Sequence, residues 1–116
     1  MTFIDDLTRL RHMKEAAEDA LAFTAGKTKA DLEEDRILSF AVVKVLEIVG
    51  EAASKISVEC HERYPDVPWR DMIGMRNRLV HAYYGINFEI VWNTIVNDLE
   101  PLIETLNRVI RHEEGR

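Results

Sequence analysis

Residues 37–49 read Ile-Leu-Ser-Phe-Ala-Val-Val-Lys-Val-Leu-Glu-Ile-Val. This stretch decides the fold, because its apolar residues recur at helical spacing and leave only a narrow polar strip. We predict one long helix over about residues 31–63, sandwiched between other helices. Gly50 lies in its middle, where glycine costs about 1 kcal/mol relative to alanine. A second helix packing closely at Gly50 would explain it.

The polar strip of this long helix repeats every three or four residues. Its members are Lys44, Glu47, Glu51, Lys55 and Glu59. Two interpretations stay open. The strip is a solvated edge, as charged residues at such spacing usually are, or Glu47 and Glu51 face a cleft or a dimer seam.

The segment before the long helix predicts a first helix over about residues 4–25. Its inner stripe would be Ile4, Leu7, Leu10, Met13 (or Lys14), Ala17 and Leu21. Gly26 follows directly and suits the position just beyond a helix C-terminus. Residues 27–30 form a short polar linker.

The segment after the long helix predicts a turn and two more helices. Residues 64–68 form the turn, and Pro68 suits the first position of a third helix over about residues 69–84. Asn87 is a good N-cap for a final helix over about residues 88–112, in which Pro101 predicts a kink. The inner face of that helix would be Ile90 (or Val91), Ile95, Leu99, Leu102, Leu106 and Val109.

No strand pattern competes with these helices. The predicted fold is therefore all-α, an antiparallel helical bundle of four main helices, dimeric, with residues 1–116 as a single domain. The net charge of −6 and the pI near 5.2 argue against a general electrostatic grip on nucleic acid, so RNA contacts would be local. The single cysteine, Cys60, fits a reducing compartment. With no signal-peptide pattern and no long apolar run, we expect a cytoplasmic protein without membrane contact.

Residues 76–83 read Arg-Asn-Arg-Leu-Val-His-Ala-Tyr and gather two cations, an imidazole and a phenol. On a continuous helix, Arg76 and His81 would point about 140° apart, whereas Arg76 and Tyr83 would fall within about 20°. A compact site that uses Arg76 with His81 therefore needs a helix that frays near His81 or a second subunit across a two-fold axis. The dimer is the simpler solution.

The chemistry that such a cluster favours is RNA cleavage without a metal or other cofactor. An imidazole moves a proton on or off the 2′-oxygen or the leaving 5′-oxygen, and a guanidinium neutralises the charge of the phosphorane. The alternative is a solvated basic edge in which these side chains cap helix ends.

Three segments carry a family resemblance that covers nearly the whole chain. Residues 68–87, Pro-Trp-Arg-Asp-Met-Ile-Gly-Met-Arg-Asn-Arg-Leu-Val-His-Ala-Tyr-Tyr-Gly-Ile-Asn, resemble the signature of the HepT toxins within the HEPN superfamily. Residues 46–52 and 90–99 are similar to the same family. The resemblance implies a toxin of a toxin–antitoxin system, namely a dimeric ribonuclease that places two Arg-x4-His motifs in a shared cleft.

The resemblance also assigns roles to single residues. Arg76 and His81 would be catalytic, and Asn77, the polar residue after the arginine, would assist. A minimal nucleotidyltransferase partner, MntA, would neutralise the toxin by transferring AMP from ATP to Tyr83. The adjacent Tyr84 is a second phenol, and only the motif spacing selects Tyr83.

Several residues keep simpler interpretations. Arg78 matches no catalytic position of the motif, and both Arg78 and Tyr84 are candidates for phosphate or partner contact. Cys60 and His61 are adjacent and cannot complete a zinc site, so no metal is expected. His12 and His112 would be solvated or capping, and Trp69 and Trp92 would lie in the core or a dimer seam. A second hypothesis makes the chain a non-catalytic adaptor that binds a nucleotidyltransferase and nucleotide or RNA.

Overall fold

The computed structural model describes residues 4–81 and 85–116, with His81 described by its backbone alone. The helical elements are α1 (Asp6–Thr24), α2 (Lys29–Glu34), α3 (Arg36–Lys55), α4 (Val58–Arg63), α5 (Trp69–Ile73), α6 (Met75–Leu79), α7 (Phe88–Asn93), a π-helical turn (Thr94–Asp98) and α8 (Leu99–Glu114). Two short strands, β1 (Val80–His81) and β2 (Gly85–Ile86), pair antiparallel. The all-α class is thereby confirmed, with one small hairpin that the sequence did not predict.

Helices α1, α3 and α8 form the centre of the bundle. Asp6, at the start of α1, accepts hydrogen bonds from the backbone N–H of Ser57 at 2.9 Å and from its hydroxyl at 2.6 Å, just beyond the end of α3. Arg11, also near the start of α1, pairs with Glu114 in the last turn of α8 at 2.7 Å. Helix α1 therefore runs antiparallel to both neighbours. The core between these helices is apolar and includes Leu10, Met13, Val42, Leu46, Val49, Leu99, Leu106 and Val109, all fully buried.

The prediction for the first helix holds to within two residues. Its N-cap is Asp5, whose carboxylate accepts from the backbone N–H of Thr8, and Gly26 takes the left-handed conformation, with φ of 73°. The inner stripe is buried or half-buried from Leu7 to Leu21. Ile4 is the exception, at 39% exposed, because it lies before the helix begins.

The prediction of one long helix over residues 31–63 is wrong. The chain forms three helices there, and each begins with a capping side chain. Thr28 and Asp31 make a reciprocal capping box for α2, Asp35 caps α3, and Ser57 caps α4. Oxygen-bearing side chains compete with helix continuation in this way, and the predicted linker over residues 27–30 is shortened accordingly.

The third predicted helix, over residues 69–84, is also shorter than expected. The turn over residues 64–68 is present, and Pro68 is the residue before the helix rather than its first. Helix α5 ends at Ile73, just before Gly74, α6 ends at Leu79, and the chain then becomes extended in β1. Gly50 explains how α5 sits on α3. A Cβ atom there would lie 2.5 Å from the carbonyl oxygen of Met72, so the predicted close packing is confirmed.

The final helical segment begins where predicted, with the Asn87 side chain accepting from the N–H of Ile90. Its predicted inner face is buried, with Val91 rather than Ile90 at the first position. Before Pro101 the helix widens into the π-helical turn, in which the N–H of Leu99 reaches the carbonyl of Thr94. A proline lacks the N–H of a regular helix, and such a wide turn accommodates it without breaking the helix. Among the described residues, no helix is long and apolar enough to span a membrane.

Candidate functional site

The predicted cluster of residues 76–83 does not lie on one helix. Arg76, Asn77 and Arg78 are exposed on α6, which Met75 and Leu79 anchor in the core. His81 belongs to β1, and its backbone pairs with Gly85. The angle of 140° expected for a continuous helix therefore does not apply. Of the two solutions left open by the sequence, the helix does end before His81.

Arg76 opens onto a groove of about 220 Å³ between α3 and the α5–α6 segment. We call it the Arg76 groove. Its lining comprises Lys44, Glu47, Ile48, Gly50, Glu51, Ser54, Ile73 and Arg76. The absence of a side chain at Gly50 lets the two walls approach each other, so the same residue sets both the packing and the depth of the groove.

The charges of the Arg76 groove come from the polar strip of α3. Glu47 and Glu51 line the groove, as the second interpretation of that strip expected, and Glu51 also pairs with Lys55 at 3.5 Å. Lys44 adds a second cation on the same wall of the groove as Glu47 and Glu51, since all three lie on α3. The sequence placed Lys44 in the strip but not in the site, since only the position of α5 shows which part of the strip is covered.

Arg78 points to a different part of the molecule. It lines a separate groove of about 380 Å³, between the α5–α6 segment and the π-helical turn with the start of α8. The two arginines are two positions apart on α6, so they point about 200° apart around the helix and lie on opposite sides. The two cations that adjoin in the sequence thus do not form one phosphate site.

Tyr83 and Tyr84 lie outside the described residues. The expectation that Tyr83 falls within about 20° of Arg76 rested on a helix continuing through His81. Because α6 ends at Leu79, that geometric basis is lost, and the role of Tyr83 rests on the motif alone.

The remaining candidates have structural roles. The thiol of Cys60 is buried, and burial, followed by the nearby negative charges of Asp6 and Glu113, raises its pKa to about 11. Nε2 of His61 lies 2.9 Å from the carbonyl oxygen of Ala53, and its ring lies 4.4 Å from that of Trp69. Neither residue is arranged for metal binding, and the described part of the chain contains no cluster of three metal-binding side chains.

The other histidines and tryptophans also follow the simpler interpretations. His12 is exposed on α1. Nδ1 of His112 lies 2.6 Å from the hydroxyl of Tyr64, in the last turn of α8. Trp69 is buried and donates from its indole nitrogen to the carbonyl of Tyr64 at 3.0 Å, whereas Trp92 is half-buried at the edge of the core.

Comparison with known proteins gives a family. The family model described as "Ribonuclease HepT-like" matches residues 13–109. A protein named "Probable ribonuclease HepT", from Thermococcus cleftensis, is 37% identical over 80% of this chain and 84% of its own length. A "Putative RNase" of Caldanaerobacter subterraneus subsp. tengcongensis is 32% identical over 90% of this chain and 94% of its own.

A further relative named "Putative RNase", from Methanocaldococcus jannaschii, is 34% identical over 87% of this chain and 84% of its own length. No solved structure is a significant match. The matched region runs from α1 into α8 and includes both grooves and the Arg-x4-His motif. On this evidence, the chain belongs to the ribonuclease HepT-like family.

Proposed function

We propose that this chain is the toxin of a toxin–antitoxin system, a homodimeric and metal-independent endoribonuclease whose catalytic residues are Arg76 and His81. The observation that carries the proposal is that the backbone changes from helix to strand between these two residues. Arg76 lies on α6 beside an open groove, and His81 follows on a strand rather than on the far side of the same helix. The membership of a family described as ribonuclease supports the same activity.

The proposed reaction uses the nucleophile that RNA itself supplies. The 2′-oxygen attacks the adjacent phosphorus, a P–O2′ bond forms, and the bond from phosphorus to the 5′-oxygen breaks. The imidazole of His81 would take the 2′-proton or give a proton to the leaving 5′-oxygen. The guanidinium of Arg76 would neutralise the charge on the phosphorane, and the amide of Asn77 would hold a phosphate oxygen.

The charge of the Arg76 groove suggests why contact with RNA would be local. Lys44 and Arg76 can each meet a phosphate, but Glu47 and Glu51 lie in the same groove and repel an extended nucleic acid. A binding site of this kind suits a few nucleotides around one phosphate. It agrees with an overall charge of −6.

A homodimer is supported by an exposed apolar face next to the Arg76 groove. Ile37 is 84% exposed, Phe40 55% and Ile73 43%. Ile48 is 37% exposed and lines the groove together with Ile73. A two-fold axis through this face would bring two Arg76 grooves together. Replacing Phe40 by Glu should shift sedimentation from dimer to monomer, and an unchanged sedimentation coefficient would show that the dimer uses another face.

Regulation is proposed through Tyr83. A MntA-type nucleotidyltransferase would join the phenolic oxygen to the α-phosphorus of ATP, releasing pyrophosphate and the phenolic proton. The added AMP would bring bulk and a negative charge close to the motif, which opposes RNA binding. Intact-mass spectrometry after co-expression should show added AMP on the peptide that contains Tyr83, and a modified peptide that lacks Tyr83 would contradict this assignment.

The decisive test of the enzymatic function is the His81→Ala variant. We expect RNA cleavage to fall by about 10²- to 10⁴-fold, the usual contribution of a positioned general acid or base, with unchanged thermal stability. The matched control is His12→Ala, because His12 is an exposed histidine on α1 without a hydrogen bond among the described residues. Cleavage at the wild-type rate in His81→Ala would favour the adaptor hypothesis instead.

A further inference from the structure

The groove that contains Arg78 is larger than the Arg76 groove. Its floor is apolar and consists of the buried side chains of Met72, Met75, Leu99 and Leu102. One wall is the α5–α6 segment, and the other is the π-helical turn with the start of α8. We call it the Arg78 groove. Its volume of about 380 Å³ is large enough for one or two side chains of another molecule.

The rim of this groove is acidic. Asp66, Asp71 and Asp98 line it, and Arg78 is its only cation among the described residues. Asp66 is already paired with Arg108. Asp71 and Asp98 come from opposite walls, and neither makes an ion pair within the described part of the chain. Among the described residues, these two carboxylates thus lie without an ion pair at the rim of an apolar floor.

We infer that the Arg78 groove is a docking site for a protein segment that carries a lysine or arginine next to an apolar side chain. The apolar side chain would enter the groove and pack against the methionines and leucines of its floor. The cation would lie between Asp71 and Asp98, and Arg78 would donate to a carbonyl or carboxylate of the same segment. RNA fits less well, since its phosphates would meet two unpaired carboxylates.

The position of the groove indicates which partner would use it. Arg78 precedes Tyr83 by five residues, and five residues span at most about 18 Å. An enzyme that docks on this groove would therefore hold the Tyr83 segment within reach of its own active site. Resting on the function proposed above, the partner is the adenylylating nucleotidyltransferase, bound on the side of α6 away from Arg76.

The test is a pair of charge reversals on opposite walls, Asp71→Lys and Asp98→Lys. Binding of a MntA-type nucleotidyltransferase from the same genome is measured by isothermal titration calorimetry. Each reversal should weaken binding by about tenfold, because it replaces an attraction with a like-charge contact. Asp19→Lys, an exposed aspartate of α1 without an ion pair among the described residues, is the control and should stay within about twofold of wild type.

RNA cleavage by each variant without the partner is measured in parallel. Unchanged cleavage with weakened docking supports the inference and shows that the variants fold. Docking within about twofold of wild type in both reversals overturns it, and so does a change in RNA cleavage with docking unchanged, which would assign the groove to RNA. Loss of cleavage in His81→Ala is scored on the chain alone, so failure of the docking site and failure of the ribonuclease function remain distinguishable.

Discussion

The long helices of the bundle and the segment of residues 69–98 are built in opposite ways. Helices α1, α3 and α8 have 19, 20 and 16 residues and bury the core along their lengths. In the described part of residues 69–98, no helix exceeds six residues. The helix is interrupted at Gly74, and the backbone becomes extended at Val80. The last helix widens into a π-helical turn before Pro101.

The irregular segment is the one that holds the candidate site. A regular helix fixes its side chains at 100° intervals, so two groups five residues apart cannot meet on it. Because α6 ends at Leu79, His81 is not held at the helical angle to Arg76. The π-helical turn forms a wall of the Arg78 groove. Departures from regular structure are expected at functional sites, where they are held by the rigid structure around them.

The largest effect is expected where the two regions touch, at Gly50. In Gly50→Ala the new methyl group would lie 2.5 Å from the carbonyl oxygen of Met72, a backbone atom that cannot turn away. We expect the overlap to outweigh the helix-propensity gain of about 1 kcal/mol, for a net loss of about 1–2 kcal/mol in the free energy of unfolding. Because α5 must shift, RNA cleavage should fall as well. Urea denaturation and a cleavage assay measure the two effects.

Gly115→Ala is the control for Gly50→Ala. A Cβ atom at Gly115 would lie 3.7 Å from its nearest neighbours, which is ordinary contact, so the change should stay within about 0.5 kcal/mol. An increase in stability in Gly50→Ala would show that α5 is not rigidly held against α3. The position of residues 69–98 would then depend less on packing against α3 than we expect.

A smaller effect, with an informative sign, is expected at Asp35. Its carboxylate accepts from the N–H of Leu38 and begins α3, so Asp35→Ala should cost about 1 kcal/mol in the free energy of unfolding. If the helix ran unbroken, alanine would instead be the better helix former and the variant would gain stability. Glu34→Ala, the exposed neighbour at the end of α2, is the control in the same urea titrations and should change little.

The fold class could be predicted from the sequence because it depends mainly on which apolar side chains are buried, and their spacing is visible in the sequence. The apolar spacing of α1 and α8 is sufficient to locate both helices and their inner faces, and Gly50 correctly indicated a close neighbour. The breaks at Asp35 and Ser57 escaped prediction because the apolar pattern continues across them. Their signal was present as capping residues, Thr28, Asp35 and Ser57, each three residues before a backbone N–H that it accepts from.

The candidate site was less predictable, because its geometry depends on tertiary contacts. The motif supplied Arg76 and His81, but a helical wheel cannot show that α6 ends between them. Nor can it show that Lys44 and Glu47 meet Arg76 in one groove while Arg78 faces another. These relations arise from the position of α5 on α3, set by Gly50, and from the π-helical turn, and both lie outside any local window of sequence.

The smallest effect is a pH dependence of the free energy of unfolding. It arises from Cys60, which lies on α4, outside residues 69–98. The pKa of the Cys60 thiol is raised to about 11 from 9.0, first by burial and then by Asp6 and Glu113. Between these values the unfolded thiol ionises while the folded one stays protonated, so the folded state loses stability as pH rises. We expect the stability difference between wild type and Cys60→Ala to shrink by about 1 kcal/mol from pH 8.5 to pH 10, measured by urea denaturation with reductant. Burial also raises the pKa of Tyr64, and this burial contribution is common to both proteins. A difference that is constant with pH would mean that the Cys60 thiol reaches water, and that the bundle is locally open at the α4 end.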